Sequence, residues 1–143
     1  MNVLAEEEEV KTKLQQKKIM IVDDDTAFLE ELSEALTLNG YAVITVNAAA
    51  EAIPTAERTR PDIILLDLKM PGKSGFQIAT EFQRLEEFTR VPIIAMTGHY
   101  TDNEYNSLLR ICGIRTCLNK PFNPQEAIKT IKVILTLNNP NLF

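Results

Sequence analysis

Residues 63–67 of this chain read Ile-Ile-Leu-Leu-Asp, four apolar residues followed by an acid. A continuous apolar run of this length is typical of a strand that is buried on both faces of a sheet. Three further segments repeat the pattern of an apolar run that ends on a polar side chain: residues 19–25 (IMIVDDD), 91–97 (VPIIAMT) and 116–120 (TCLNK). Because parallel strands end at the same edge of a sheet, where ligands bind, we expect the polar ends of the four runs to meet.

Helices are predicted between these strands. Apolar residues recur at helical spacing in residues 28–36, 76–85 and 127–135, with weaker helical patterns in 48–57 and 103–111. Residues 41–46 alternate and are β-branched, which predicts one more strand. The alternation predicts an α/β protein with a flavodoxin-like (βα)5 fold, a doubly wound parallel five-stranded sheet of order 2-1-3-4-5. In this order the first and third strands are neighbours, so Asp23 and Asp24 should lie beside Asp67.

Two prolines bear on where helices begin. Pro54 lies inside the predicted helix at residues 48–57 and should kink or interrupt it. Residues 123–126 (NPQE) fit a capping box with Pro124 at the first helical position, so the last helix should begin there.

The composition indicates one globular domain. The chain has 143 residues, is 45% hydrophobic and carries a formal net charge of -5. No apolar run approaches the roughly 20 residues of a membrane span, so membrane insertion is not expected. The acidic balance also argues against direct binding to nucleic acid. A single histidine and two cysteines make a zinc site improbable and suit a reducing cytosol, so we expect a cytoplasmic protein.

The charge pattern suggests three segments. Residues 1–16 are charged and predict a leader or short helical extension, with a disordered tail as the alternative. Residues 17–138 form the predicted domain, and residues 139–143 form a short tail. We find no helix-turn-helix and no basic patch, so binding to DNA in the manner of a transcriptional regulator is not expected.

The polar ends of the runs suit a divalent cation and a phosphoryl group. Several carboxylates on one rim repel each other, and a hard cation with oxygen ligands, Mg²⁺ above all, removes that conflict. Carboxylates also act as nucleophiles toward phosphoryl groups. Lys120 would offer a charge and Thr97 a hydrogen bond to phosphate oxygens. Taken singly, residues 23–25 could be a helix N-cap and Lys120 a solvated lysine, so the interpretation rests on their joint arrangement.

The motifs together closely resemble the receiver domain of two-component response regulators, over about residues 17–137. The resemblance is carried, in order, by residues 21–25 (IVDDD), 65–72 (LLDLKMPG), 96–98 (MTG) and 119–122 (NKPF). It implies that Asp67 accepts a phosphoryl group from a histidine kinase or a histidine phosphotransfer protein. It also implies a Mg²⁺ site in which Asp24 and Asp67 are ligands, Asp23 acts through water, and the backbone carbonyl of Lys69 completes the set.

The resemblance further implies that Thr97 and Lys120 hold the phosphoryl oxygens and that Lys120–Pro121 is a cis peptide. The protein would catalyse only its own phosphorylation and dephosphorylation, and would not be an enzyme in the ordinary sense. A kinase would dock near residues 26–28, and an unknown downstream protein would read the fourth and fifth helices. The sequence leaves a homodimer open.

One position departs from the family. Tyr or Phe often stands three residues before the lysine and rotates inward on phosphorylation, but here the residue is Cys117. Tyr100 or Tyr105 could take over that role, while Cys117 reads as a small core residue or, less readily, a redox thiol. We hypothesise that His99, expected in an exposed loop, and Lys69 flank the path of the water that hydrolyses the aspartyl phosphate.

Two other functions compete with this interpretation. A phosphatase of the haloacid dehalogenase type also uses a strand-end Asp with Mg²⁺, but Thr26 stands one position too early for its motif and Asp67 would be unexplained. A receiver-like scaffold that is never phosphorylated would have no need to keep a metal pocket, although Cys117 weakly favours it.

Overall fold

The computed structural model describes residues 17–98 and 103–138, in which five strands alternate with five α-helices. The strands are β1 (Lys18–Val22), β2 (Ala42–Val46), β3 (Ile63–Asp67), β4 (Ile93–Thr97) and β5 (Ile114–Asn119). The helices are α1 (Thr26–Leu38), α2 (Ala52–Thr59), α3 (Gly75–Arg84), α4 (Asn103–Ile111) and α5 (Pro124–Leu137). Short 3-10 helices span Ala49–Glu51 and Glu86–Phe88.

All five strands lie in one parallel sheet of order β2-β1-β3-β4-β5, which confirms the predicted fold. The register aligns the strand ends. Val22 pairs with Leu66, so the residues that follow them, Asp23 and Asp67, emerge side by side from the sheet. Asp67 in turn pairs with Met96, and Thr97 pairs with Asn119. The topology therefore delivers the polar end of each run to one edge.

The sheet has a hydrophobic core on each face, which explains why its central strands are apolar throughout. Residues 19–22 and 63–66 are fully buried. Odd-numbered residues of these runs, such as Ile21 and Leu65, pack with α1 and α5. Even-numbered residues, such as Val22 and Leu66, pack with α2, α3 and α4. A strand that is covered by helices on both faces has no solvent-exposed face, so polar residues can occur only where the strand ends.

Helix caps set where the functional loops stop. The Asp25 side chain accepts a hydrogen bond from the Phe28 N–H at 3.1 Å and begins α1. Asn123 accepts one from the Glu126 N–H at 3.0 Å, with Pro124 in the first turn, so α5 begins where predicted. Ser74 and Gln77 form a reciprocal capping box at the start of α3, which we did not predict.

Pro54 does not interrupt a helix interior. The predicted helix at 48–57 is instead divided into the 3-10 helix Ala49–Glu51 and α2, which begins at Ala52. Pro54 is then the third residue of α2, where the missing N–H has no intrahelical partner to lose. The expected break therefore precedes the proline.

Some predictions fall outside the part of the chain that the structure describes. These concern the leader at residues 1–16, the tail at 139–143, and the loop residues His99 and Tyr100. Within the described ranges, no helix combines the length and apolarity that crossing a membrane requires.

Candidate functional site

Three carboxylates meet at the carboxyl edge of the sheet. Asp23, Asp24 and Asp67 each offer an oxygen, and these oxygens all lie within 4.8 Å of one another. Asp23 and Asp67 are buried, whereas Asp24 is exposed. The third acid of the first run, Asp25, caps α1, so the N-cap interpretation applies to this residue only.

Asp23 is held at both of its oxygens. Its Oδ1 accepts a hydrogen bond from the Asp25 N–H at 2.9 Å. Its Oδ2 accepts one from Lys120 Nζ at 2.5 Å. Since Asp23 is fully buried, this ion pair supplies the compensation that a buried carboxylate requires.

Asp67 lies at the centre of the cluster and is less well compensated. Its Oδ1 accepts a hydrogen bond from the Lys69 N–H at 3.2 Å, and its Oδ2 is 3.8 Å from Lys120 Nζ. The pKa of Asp67 is raised to about 6, chiefly by burial and also by the charges of Asp23 and Asp24, with the Lys69 N–H and Lys120 acting in the opposite direction. Without another cation, this carboxyl would take up a proton as the pH falls through about 6, well above the range of an ordinary aspartate.

The donor set fits Mg²⁺. The three carboxylates are hard oxygen ligands and carry more negative charge than Lys120 neutralises. One of them, Asp24, is exposed to solvent, which suits a cation that keeps several of its waters. A cavity of about 370 Å³ lies beside Asp24, between the loops that follow β1, β2 and β3. Of the three carboxylates, Asp24 alone lines this cavity. The structure shows the Lys69 N–H donating to Asp67. The role of the Lys69 carbonyl as a metal ligand stays a prediction.

Lys120 joins the far side of the sheet to the cluster. Its backbone N–H donates to the Thr97 carbonyl at 2.7 Å, and its peptide bond with Pro121 is cis, as the resemblance implies. About a quarter of the side chain is exposed, and its ammonium contacts Asp23. Lys120 is therefore a counter-ion of the cluster and is not simply a solvated lysine. Thr97 is buried at the end of β4, one residue beyond the partner of Asp67.

Two aromatic residues near Lys120 were missed as site residues. Lys120 Nζ lies over the ring of Phe28, 4.4 Å from its centroid. The rings of Phe28 and Phe122 meet edge to face, with centroids 5.7 Å apart. Phe122 belongs to the NKPF motif, and Phe28 lies in residues 26–28, where a kinase was expected to dock. No spacing in the sequence indicates that the Phe28 ring contacts Lys120.

Gly75 was missed as well. A Cβ at this position would collide with the carbonyl oxygen of Asp67 and would lie 2.7 Å from Leu68 Cα. The first turn of α3 therefore packs directly on the backbone of Asp67. In contrast, a Cβ at Gly98 would approach only Lys120 Cβ, at 4.0 Å, so space alone does not require a glycine beside Thr97.

Cys117 is partly buried at the margin of a hydrophobic core. It pairs with Ala95 and packs, half-buried, against the core on the side of α2, α3 and α4. Burial raises the pKa of the Cys117 thiol, which keeps it neutral and weakly reactive. This environment suits a small core residue. The proposed substitutes for an aromatic switch, Tyr100 and the Tyr105 side chain, lie outside the described residues, as does His99.

Comparison with known proteins identifies relatives of this chain. The family described as the response regulator receiver domain matches residues 19–132. The phosphate regulon transcriptional regulatory protein PhoB of Pseudomonas aeruginosa is 32% identical over 124 residues, which are 87% of this chain and 54% of PhoB. The alkaline phosphatase synthesis transcriptional regulatory protein PhoP of Bacillus subtilis is 32% identical over 120 residues, 83% of this chain and 48% of PhoP. The chain thus spans about half the length of these two relatives.

Shorter relatives are covered almost completely. Protein PilH of P. aeruginosa is 29% identical over 120 residues, 82% of this chain and 97% of PilH. Among solved structures, the chemotaxis protein CheY4 of Vibrio cholerae matches with a TM-score of 0.79 and 29% identity, over 83% of this chain and 98% of CheY4. Since the family match extends over most of the chain and includes all the clustered carboxylates, this chain belongs to the response regulator receiver domain family.

Proposed function

We propose that Asp67 accepts a phosphoryl group from a phosphohistidine of a kinase or phosphotransfer protein, in a Mg²⁺-dependent reaction. The observation that carries the proposal is the position of Asp67, a buried carboxylate between two further acids and a lysine ammonium 3.8 Å from its Oδ2. Members of the family act in two-component signalling, which supports a phosphoryl donor of this kind. A cytoplasmic location, where such a donor would be met, is part of the proposal.

The chain's own residues would carry out most of the step. An oxygen of Asp67 forms a bond to phosphorus as the phosphorus–nitrogen bond of the donor breaks. The histidine nitrogen keeps the electron pair and takes up a proton. Lys120 and Thr97 bind the phosphoryl oxygens, and Asp23 and Asp24 hold the cation site together with Asp67 and the Lys69 carbonyl. Bound Mg²⁺ would neutralise charge on the phosphoryl oxygens.

Phosphorylation would then change the conformation of the domain and control a downstream protein. The mechanism of that change differs from the aromatic rotation common in the family, because Cys117 stands at the aromatic position. A small side chain at this position, opposite Ala95 on the neighbouring strand, leaves the readout to other residues. A second copy of this chain is one candidate partner for the phosphorylated form.

The proposal can be tested with small phosphodonors. Phosphoramidate, which has a phosphorus–nitrogen bond like that of phosphohistidine, and acetyl phosphate are each incubated with the protein and Mg²⁺. Intact-mass measurement should show one added phosphoryl group, lost with EDTA and in Asp67→Asn. Asp25→Asn is the matched control, since this exposed acid lies on the same rim but caps α1.

Failure of the wild-type protein to take up a phosphoryl group from either donor would reject the proposal. That result, with normal folding, would favour the scaffold that binds a partner without phosphorylation. Steady turnover of a phosphate monoester that depends on Asp23, with no need for Asp67, would instead favour the phosphatase. Incorporation that persists in Asp67→Asn would move the acceptor to another residue.

A further inference from the structure

The Lys120 ammonium is held on two sides. On one side are carboxylates, with Asp23 Oδ2 at 2.5 Å and Asp67 Oδ2 at 3.8 Å from Nζ. On the other side is the ring of Phe28, whose centroid is 4.4 Å from Nζ. A cation over the face of an aromatic ring is attracted by the ring quadrupole, and more strongly where water is excluded. A single position of the ammonium thus satisfies both the acids and the ring.

A second ring supports the first. Phe122 meets Phe28 edge to face, with an interplanar angle of 87° and centroids 5.7 Å apart. Both rings are half-buried and pack against the core on the side of α1 and α5. Edge-to-face contact directs the positive rim of one ring at the negative face of the other and favours this relative orientation. We name Phe28 and Phe122 the aromatic pair.

The backbone around the aromatic pair is also fixed. The Phe28 N–H donates to the Asp25 side chain, which caps α1. Phe122 directly precedes Asn123, which caps α5. Lys120, two residues before Phe122, is tied to β4 through its N–H bond to Thr97. The ring face therefore stands at a defined place relative to the lysine stem.

We propose that Phe28, supported by Phe122, is a positioning residue that keeps the Lys120 ammonium over the carboxylates, where it can receive a phosphoryl oxygen. The inference rests on the proposed function of Asp67 as phosphoryl acceptor. Lys120 is about a quarter exposed, so without the ring its flexible side chain has a route to solvent. The role of Phe28 is then to raise the population of the inward position of the lysine.

This role predicts opposite changes in two affinities. A divalent cation must compete with the ammonium for Asp23, so loosening Lys120 should strengthen the binding of Mg²⁺. A phosphoryl group gains from the ammonium, so the same change should weaken the binding of a phosphoryl analogue. A merely structural role for Phe28 would weaken both, because damage to the rim would misplace the carboxylates as well as the lysine.

The experiment compares Phe28→Leu, which keeps an apolar side chain but removes the ring face, with the matched control Phe28→Tyr, which retains it. Mg²⁺ binding is measured by calorimetry, and beryllofluoride binding is measured at saturating Mg²⁺. In Phe28→Leu we expect Mg²⁺ to bind about two- to fivefold more tightly and beryllofluoride about three- to tenfold more weakly. Phe28→Tyr should stay within about twofold of wild type in both.

A double-mutant cycle with Lys120→Met shows whether the effect passes through the ammonium. If it does, Phe28→Leu should change neither affinity once the charge is gone. Phe122→Leu, which removes only the supporting ring, should show the same pair of changes at a smaller size and serves if Phe28→Leu does not fold. Thermal unfolding establishes that each variant is folded.

Changes of both affinities in the same direction, no change in Phe28→Leu, or an effect that persists in the Lys120→Met background would each overturn the inference. If wild type takes up a phosphoryl group on Asp67 but Phe28→Leu binds both ligands as wild type does, only the inference fails. If wild type neither binds beryllofluoride nor takes up a phosphoryl group, the proposed function fails and the inference fails with it.

Discussion

The Lys120 ammonium donates to Asp23 Oδ2 at 2.5 Å, and these two residues are 97 positions apart in the chain. The lysine thereby occupies a carboxylate oxygen in the cluster that would serve a divalent cation. When no metal is bound, Lys120 supplies part of the positive charge that the three carboxylates require. Lys120 and the metal are therefore competitors as well as cooperating parts of one site, and this competition has measurable consequences.

Removal of the ammonium should unbalance the metal-free site. In Lys120→Met the buried Asp23 loses its ion pair, and we expect the free energy of unfolding in EDTA to fall by roughly 2 kcal/mol. Saturating Mg²⁺ should restore most of this lost stability. Lys120→Met should also bind Mg²⁺ more tightly than wild type does. Urea unfolding with and without Mg²⁺ measures both effects. Equal destabilisation in the presence and absence of metal would contradict this account of Lys120.

The pH dependence of stability should report Asp67. Its folded pKa of about 6 lies above its ordinary value of 3.8, so the folded state binds a proton that the unfolded state releases. The resulting stabilisation is fully present below the unfolded pKa and is lost as pH rises through the folded one. Relative to Asp67→Asn, wild type in EDTA should gain about 1 kcal/mol of unfolding free energy between pH 7.5 and pH 5.

Asp67→Asn should accordingly be more stable than wild type at pH 7.5 in EDTA, by up to roughly 3 kcal/mol. Addition of Mg²⁺ should shrink this difference, because the cation favours the ionised carboxylate only in wild type. Chemical unfolding of both proteins in parallel cancels the contributions of all other titrating groups. A constant difference across this pH range would mean that Asp67 titrates normally.

Gly75 should resist substitution more strongly than Gly98. A Cβ at Gly75 collides with the Asp67 carbonyl, so Gly75→Ala should cost about 1–3 kcal/mol and should also weaken Mg²⁺ binding by displacing Asp67. Gly98→Ala adds one methyl at ordinary contact distance and should change stability by no more than about 0.5 kcal/mol. Thermal unfolding of the two variants gives the comparison. Equal costs would indicate that α3 can shift away from β3.

Asp25 should contribute stability without contributing to metal binding. Asp25→Ala removes the acceptor of the Phe28 N–H and should cost about 1 kcal/mol. Asp25→Asn keeps an acceptor and should cost only a few tenths. Neither variant should change Mg²⁺ affinity by more than about twofold, in contrast to Asp24→Asn, if the cluster and the cap are separate. A large loss of Mg²⁺ affinity in Asp25→Asn would assign Asp25 to the cation site.

The sequence was informative where one physical requirement dominated. The apolar run at residues 63–66 requires burial on both faces, which predicts a strand in a parallel sheet with its polar end at the ligand-binding edge. The predicted strand order then placed Asp23 beside Asp67. Contacts between side chains of different helices and strands could not be predicted from the sequence. Nothing in the sequence says that Phe28 lies under Lys120 or that Gly75 touches Asp67, because these depend on the angles at which α1 and α3 leave the sheet. The prediction that Pro54 interrupts a helix at residues 48–57 was wrong for a related reason. A 3-10 helix and the start of an α-helix show the same apolar pattern, so the sequence did not reveal that α2 begins at Ala52.

The bond between Lys120 and Asp23 also concerns folding. It connects the residue after β1 with the residue after β5, across the ends of β3 and β4, which must already lie between them. A contact of such long sequence separation carries a large loop-closure cost, which is lower once the intervening strands are in place. A carboxylate cluster that has its lysine counter-ion is thus expected in a chain whose last strand is in place. Competence for the chemistry is thereby coupled to completion of the sheet, and a partly folded chain would expose acids without their counter-ion.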